Sequence, residues 1–230
     1  FSVSEGLDLK TPTQYVIKIG PLYSESIIDK EFILEDIQSK KYESKLNLMV
    51  DLVVLFGGDR ESAEREIKDV IYFWYRLNKA ITQVDNKDPY KRNNLTNIKD
   101  LQQMYPYLHW MDFFTKLFKP DCQMYNDDPV VVTYPWFFHE LENILRTTDK
   151  RVIANWMFWN GANSIVVYLT TKMRRWKDEY TFVTTGTKEE HPRWKKCIKA
   201  MGSNALSLKM AVSAMYVRNY FDKRSKRNVI

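Results

Sequence analysis

Apolar residues recur at intervals of three and four positions along much of the chain, which places them on one face of an α-helix. An early apolar run ends at Gly57 and Gly58, where a helix C-cap favours glycine, and Asp59 can cap the helix that follows. The apolar positions of that second helix are Ala63, Ile67, Val70, Ile71, Trp74, Leu77, Ile81 and Val84. The pattern therefore predicts two consecutive amphipathic helices.

Further helices are predicted by shorter patterns of the same kind, over 98–104, 110–118, 135–145, 149–169 and in a final run over 192–221. The polar segment 85–96 contains Pro89 and is predicted as a loop. The β-branched run Val130 to Val132 predicts a short strand. With only 7 Gly and 8 Pro, the chain has too few turn residues for a many-stranded fold. We predict an all-α, multi-helix lobe with at most one very short extended segment near 130–133.

Length and composition are those of a globular protein, with 230 residues of which 44% are hydrophobic and 28% charged. No apolar run reaches the ~18 residues of a membrane span, so we expect no membrane segment in this chain. The chain begins at Phe1 without a basic and apolar leader, and we therefore expect a processed or excised piece.

The net charge of +6 comes from one end of the chain. Residues 172–230 hold 15 of the 35 Lys and Arg residues but only 5 of the 29 Asp and Glu residues. Lys and Arg that alternate with apolar residues usually form the solvated face of a helix, so we do not expect a nucleic-acid partner.

Motifs for catalysis and metal binding are incomplete. His139-Glu140 begins like the H-E-x-x-H zinc helix, but Asn143 stands in place of the second histidine, and His109 and His191 have no ligand spacing to His139. The two cysteines form no C-x-x-C pair, and the chain has neither a P-loop nor a nucleophile elbow. We expect no catalytic residue, no metal ligand and no cofactor in this chain.

Two short motifs concern processing rather than chemistry. Asn94-Leu95-Thr96 fits the N-glycosylation acceptor and lies in the predicted loop, which makes Asn94 a candidate glycosylation site. The segment 224–227, Arg-Ser-Lys-Arg, is similar to a basic processing site, although a solvated helix end explains it as well.

Five motifs in the order of the chain resemble the helical, non-catalytic N-terminal region of the neprilysin and endothelin-converting-enzyme zinc metallopeptidases. The most distinctive is the string from Pro192 to Cys197, with Ala211, Tyr216-Val217, Tyr220-Phe221 and Ser225-Lys226 after it. The others are Gly6-Leu7-Asp8-Leu9 with Tyr15, His109-Trp110 to Phe113, Val130-Val131-Val132 with Pro135, and Asn155 with Trp159. The resemblance covers the whole chain.

The resemblance implies that residues 1–230 are a single helical region, a fragment of a cap lobe that faces a catalytic lobe of the same protein and admits small peptides. The zinc motif of the family lies downstream of Ile230, so zinc is expected in that catalytic domain and not here. Cys197 matches a structural cysteine of the family, which implies a disulfide to a cysteine upstream of Phe1. In this chain alone, Cys197 is then free or joined to Cys122. The family implies an extracellular protein, either secreted or the ectodomain of an anchored one.

Departures from the family leave a second reading open. Trp74 and Asn160 stand where the family usually has Glu and Arg, and Cys122 matches no cysteine of the family. A secreted, catalytically inactive helical binding protein derived from the family is therefore the alternative. A coding sequence that continues past Ile230 into H-E-x-x-H distinguishes the two.

Overall fold

The computed structural model describes residues 1–21, 40–82, 92–187, 192–202 and 208–221. Two compact units are present, 1–186 and 187–230, and each is described by itself.

Helices make up most of the first unit, which confirms the helical fold class. Within its described ranges they are α1 (Lys40–Leu55), α2 (Arg60–Thr82), α3 (Ile98–Met104), α4 (Trp110–Phe118), α5 (Pro135–Thr147), α6 (Lys150–Ile165) and α7 (Thr171–Thr185). A short 3₁₀ helix, Val166–Tyr168, connects α6 to α7.

Local sequence signals set several of the helix ends. The Asp59 carboxylate accepts a hydrogen bond from the backbone N–H of Ser62 at 2.9 Å, and Asp149 accepts one from Arg151 at 2.7 Å. Gly57 has a φ of 95°, a left-handed conformation that glycine adopts without strain after α1. Pro135 occupies the first turn of α5. These helix starts and stops were predicted from the sequence, and the structure confirms them.

A four-stranded sheet packs against the helices of this unit. Its strands are β1 (Ser2–Leu7), β2 (Tyr15–Gly20), β3 (Asn94–Asn97) and β4 (Pro129–Val132), in the order β1-β2-β4-β3. β2 and β4 are parallel, with Ile17 opposite Val130 and Ile19 opposite Val132, while the β1–β2 and β3–β4 pairs are antiparallel.

The sequence predicted β4 and missed the other three strands. Asn94 to Thr96 belong to a strand and not to the predicted loop, because β4 supplies a partner for their backbone groups. β1 is mostly polar, whereas β2 carries the β-branched residues Val16, Ile17 and Ile19, which the sequence analysis did not single out. β2 pairs with the neighbouring β1 and with β4, a strand more than a hundred residues away.

Helix α2 separates two apolar cores. Ile67, Val70 and Trp74 lie in the first core, together with residues of α1, α6 and α7. On the adjoining face, Phe73 and Ala80 lie in the second core, with the sheet, α3, α4 and α5. The two cores therefore share one helix as a common wall.

Helix α7 was not among the helices predicted from the sequence, which ended at residue 169 and resumed at residue 192. Only two of its residues, Trp176 and Tyr180, are buried. The indole Nε1 of Trp176 donates to the backbone oxygen of Leu48 at 2.7 Å, which fixes α7 against α1. Met173 and Val183 also pack against the first core, so the apolar positions of α7 recur at three and four. The polar residues between them obscure this period in the sequence.

The second unit contains α8 (Arg193–Gly202) and α9 (Lys209–Tyr220) in its described ranges, so the final predicted run forms two helices. No residue of α9 is buried.

Replacement of Phe73 by Ala should destabilise the protein by about 3–5 kcal/mol, because Phe73 is 2% exposed and its ring meets Trp156 edge-on at 5.5 Å. Tyr72→Ala on the same helix is the control, because Tyr72 is 61% exposed, and its cost should stay below about 1 kcal/mol. Chemical denaturation of both variants measures the difference. Equal losses would contradict the assignment of Phe73 to the second core.

Candidate interaction surface

The structure brings no catalytic group together in the residues that it describes. His139 is exposed on α5, with its ring edge-on to Tyr105 at 5.2 Å, and His109 is exposed just before α4. Within the described ranges, no three His, Cys, Asp or Glu residues form a group that could hold a metal ion. His191 lies outside the described residues. The remaining candidates for a functional site are regions of the surface that differ from the rest in shape and polarity.

Three exposed apolar side chains, Phe56, Met157 and Phe158, form what we call the Phe158 patch. Met157 is 62% exposed and Phe158 61%, and the rings of Phe56 and Phe158 meet edge-on at 6.0 Å. The patch lies where the C-terminal end of α1 meets the middle of α6. Exposed apolar side chains that lie together make this part of the surface a candidate for contact with a partner.

A small cavity of about 280 Å³ adjoins the Phe158 patch. Its apolar wall includes Val53, Ile67 and Trp159, and its polar wall includes Glu66 and Asn155. Phe158 of the patch and Trp159, which is 2% exposed, both line this cavity.

Glu66 fixes α6, which carries the patch, to α2. Its carboxylate accepts a hydrogen bond from Arg151 at 2.6 Å and another from the amide of Asn155 at 2.5 Å. The hydrogen bond from Arg151 is the main cause that lowers the pKa of Glu66, and the bond from Asn155 lowers it further. Asn155 and Trp159 were paired in the sequence analysis as one motif of the family resemblance, and they lie one helical turn apart. Glu66 carried no sequence signal of its own.

The second unit also exposes a large apolar area. On α9, Met210 is 83% exposed and Tyr220 79%, and on α8 Trp194 is 64% exposed. Helices whose apolar residues stay in water gain little stability from packing within their own unit.

The candidate glycosylation site and the two cysteines lie at the surface. Asn94 is exposed on β3, where its amide nitrogen donates to the backbone oxygen of Val132 at 3.0 Å. Cys122 and Cys197 are both exposed free thiols. The basic segment 224–227 lies outside the described residues. None of the helices in the described part of the chain is long and apolar enough to cross a membrane.

Replacement of Glu66 by Gln should reduce the free energy of unfolding by about 1 kcal/mol at pH 7, since its ion pair with Arg151 is partly screened by water. A carboxyl with a lowered pKa stabilises the fold above its unfolded pKa of about 4.3, and that contribution disappears as the pH falls through the folded pKa. The difference between the two proteins should therefore be constant from pH 7 to about 5 and shrink below about pH 4.

Urea unfolding at a series of pH values measures this difference, with Lys150→Gln as the matched control. Lys150 is an exposed cation next to Arg151, and its removal should leave the pH dependence of the unfolding free energy nearly unchanged. A Glu66→Gln difference that persists undiminished at pH 3 would contradict a stabilising ionised Glu66.

Known proteins resemble this chain in sequence and in fold. Residues 1–230 match the profile of the N-terminal region of peptidase family M13. Neprilysin-2 of Drosophila melanogaster is 29% identical, over 99% of this chain and 30% of its own length. Endothelin-converting enzyme 1 of Homo sapiens is 26% identical, over 98% of this chain and 29% of its own length.

Solved structures show the same fold at lower sequence identity. The open state of the zinc metalloprotease Zmp1 of Mycobacterium tuberculosis superimposes with a TM-score of 0.78 at 16% identity, over 99% of this chain and 35% of that protein. The chain thus spans about a third of the length of the proteins that it matches. Because the family profile matches every residue, the chain belongs to peptidase family M13 and corresponds to the N-terminal region of that family.

Proposed function

We propose that this chain is the non-catalytic cap lobe of a neprilysin-like zinc endopeptidase that cleaves small peptides, and that it forms one wall of the substrate chamber. The observation that carries the proposal is the match of all 230 residues to the N-terminal region of a metallopeptidase family, at about a third of the length of the relatives. The described residues hold no metal-binding group that would give this part of the protein a zinc centre of its own.

Exposed apolar surface supports a partner lobe. The Phe158 patch and the side chains of α9 place large apolar groups in water on each unit. A folded lobe that functions alone rarely keeps such surface exposed, whereas a lobe that closes against another one needs it. The partner in this proposal is the catalytic lobe of the same protein, with peptides as substrates.

The remaining assignments follow from the same proposal. Zinc would be held by the catalytic domain and not by residues 1–230. Residues 1–230 would form a single helical region of the non-catalytic N-terminal domain. The protein would be extracellular, either secreted or the ectodomain of an anchored protein, with Asn94 glycosylated. Cys197 would form a disulfide with a cysteine outside this chain.

The alternative remains a secreted, catalytically inactive binding protein built on the same lobe. Trp74 favours it, because the family usually has glutamate at that position. However, Trp74 is 5% exposed and packs 5.7 Å from Trp159, so it serves the first core. The substitution is thus explained by packing and carries little weight for lost activity.

The activity should require both parts of the protein. The chain of 230 residues alone should retain no stoichiometric zinc after chelator dialysis and should cleave no peptide, since its sequence lacks a complete H-E-x-x-H motif and its described residues hold no metal-binding group. The full-length protein should cleave small peptides and lose this activity when zinc is removed. Metal analysis and a quenched-fluorescence peptide assay measure both properties. Zinc-dependent cleavage by the short chain would overturn the proposal, and an inactive full-length protein that binds peptides would favour the alternative.

A charged residue in the Phe158 patch should weaken the closure of the two lobes. Phe158→Asp in the full-length protein should lower kcat/KM about tenfold, because a buried unpaired carboxylate costs more than about 1.4 kcal/mol. Tyr72→Asp is the matched control, since Tyr72 has the same 61% exposure but lies on α2. Equal effects of the two substitutions would argue against the patch as the contact between the lobes.

A further inference from the structure

Positive charge is concentrated in the second unit. Residues 187–230 hold 11 of the 35 Lys and Arg residues of the chain but only 3 of its 29 Asp and Glu residues. The helices that the structure describes there, α8 and α9, contain six Lys and Arg residues and neither Asp nor Glu. The proposed peptidase role does not account for this charge.

Helix α8 separates its cations from its apolar side chains. Successive residues of a helix are rotated by about 100°, so the four cations of α8 fall within an arc of about 160°. These cations are Arg193, Lys195, Lys196 and Lys199. The apolar side chains fall within an arc of about 100° on the opposite side of the helix. They are Trp194, Cys197, Ile198 and Met201. The helix therefore has one cationic face and one apolar face.

The apolar face is the side of α8 that another part of the protein can cover at low cost. Burial of Trp194 and Ile198, which are 64% and 50% exposed, removes apolar surface from water, whereas burial of several cations carries a large desolvation cost. Cys197 lies on the same apolar face, so its proposed disulfide outside this chain would hold that side against the rest of the protein. The cationic face, where Lys195 and Lys199 are exposed, then stays in water.

We propose that the cationic face of α8 binds a sulfated polysaccharide, with sulfate groups beside Lys195 and Lys199. The two lysines lie one helical turn apart, with about 5–6 Å between their Cβ atoms, so they present adjacent charges to a chain of closely spaced anions. The attraction between grouped cations and a polyanion is strong, and it falls as the salt concentration rises.

Two other classes of anionic partner fit this face less well. A helix that lies on an anionic membrane inserts its apolar face, and the proposed function uses the exposed apolar surface of this unit for the catalytic lobe. Single-stranded nucleic acid stacks its bases on aromatic side chains beside the cations, whereas Trp194 lies on the opposite face of α8. The choice of a polysaccharide thus rests on the proposed function, which also places the protein outside the cell.

The experiment measures the affinity of the full-length protein for heparin by isothermal titration calorimetry at several NaCl concentrations. Lys195→Gln combined with Lys199→Gln should weaken binding about tenfold at about 0.15 M NaCl and reduce its salt dependence. Lys150→Gln combined with Lys172→Gln is the matched control, since it removes the same charge from exposed residues of the first unit and should change the dissociation constant less than about twofold. Equal losses in the two variants, or no binding by the unaltered protein, would overturn the proposal.

Further probes and variants test the chemistry of the ligand. Desulfated heparin, a DNA duplex and phosphatidylserine vesicles should each bind at least about tenfold more weakly than heparin. Lys195→Arg combined with Lys199→Arg keeps the charge and should keep the affinity, while Trp194→Ser should change it less than about twofold. Tighter binding of DNA or vesicles, or a loss in Trp194→Ser equal to that of the double Gln variant of α8, would refute the polysaccharide as the partner.

Failure of this proposal is distinguishable from failure of the proposed function. The double Gln variant of α8 should retain the zinc-dependent cleavage of small peptides, because the cationic face lies opposite the apolar face that the catalytic lobe would cover. Thermal unfolding confirms that each variant is folded. A full-length protein that cleaves peptides and does not bind heparin refutes this proposal alone, whereas one that binds heparin and cleaves nothing refutes only the proposed peptidase role.

Discussion

The simultaneous burial of two adjoining faces of α2 is the constraint on which the first unit depends. The helix supplies Val70 and Trp74 to one core and Phe73 to the other, so neither core is complete without it. Trp156 of α6 is partly buried and packs against both. A change in the rotation or position of α2 would expose apolar surface on two sides at once, which makes this helix the most restricted element of the unit.

The position of the Phe158 patch follows from that constraint. Helix α6 packs along α2, where Trp159 meets Trp74, and Glu66 binds Arg151 and Asn155 on the neighbouring turn. Phe158 and Met157 lie about 100° and 200° round the helix from the buried Trp159. Both side chains are exposed there, while the same helix is held to α2 by Trp159 and Asn155.

The sequence by itself determined the helices that carry strong local signals. The spacing of apolar residues and the caps at Gly57, Asp59 and Asp149 are local interactions, and the structure places the corresponding helix ends where the sequence predicted them. The order of the motifs along the chain was sufficient to predict the family. The candidate surface was only partly accessible from sequence, since the family resemblance included Asn155 and Trp159 on α6 but nothing pointed to Glu66.

Only the tertiary structure decided how the strands pair and which surfaces stay exposed. β2 pairs with the neighbouring β1 and with β4, which is distant in sequence, and α7 is fixed by Trp176 against the backbone of α1. Exposure has the same origin, because an apolar side chain such as Phe158 or Leu117 looks identical in sequence whether a neighbour covers it or not. Local patterns fix the conformation of a segment, whereas pairing and burial depend on residues that are far away along the chain.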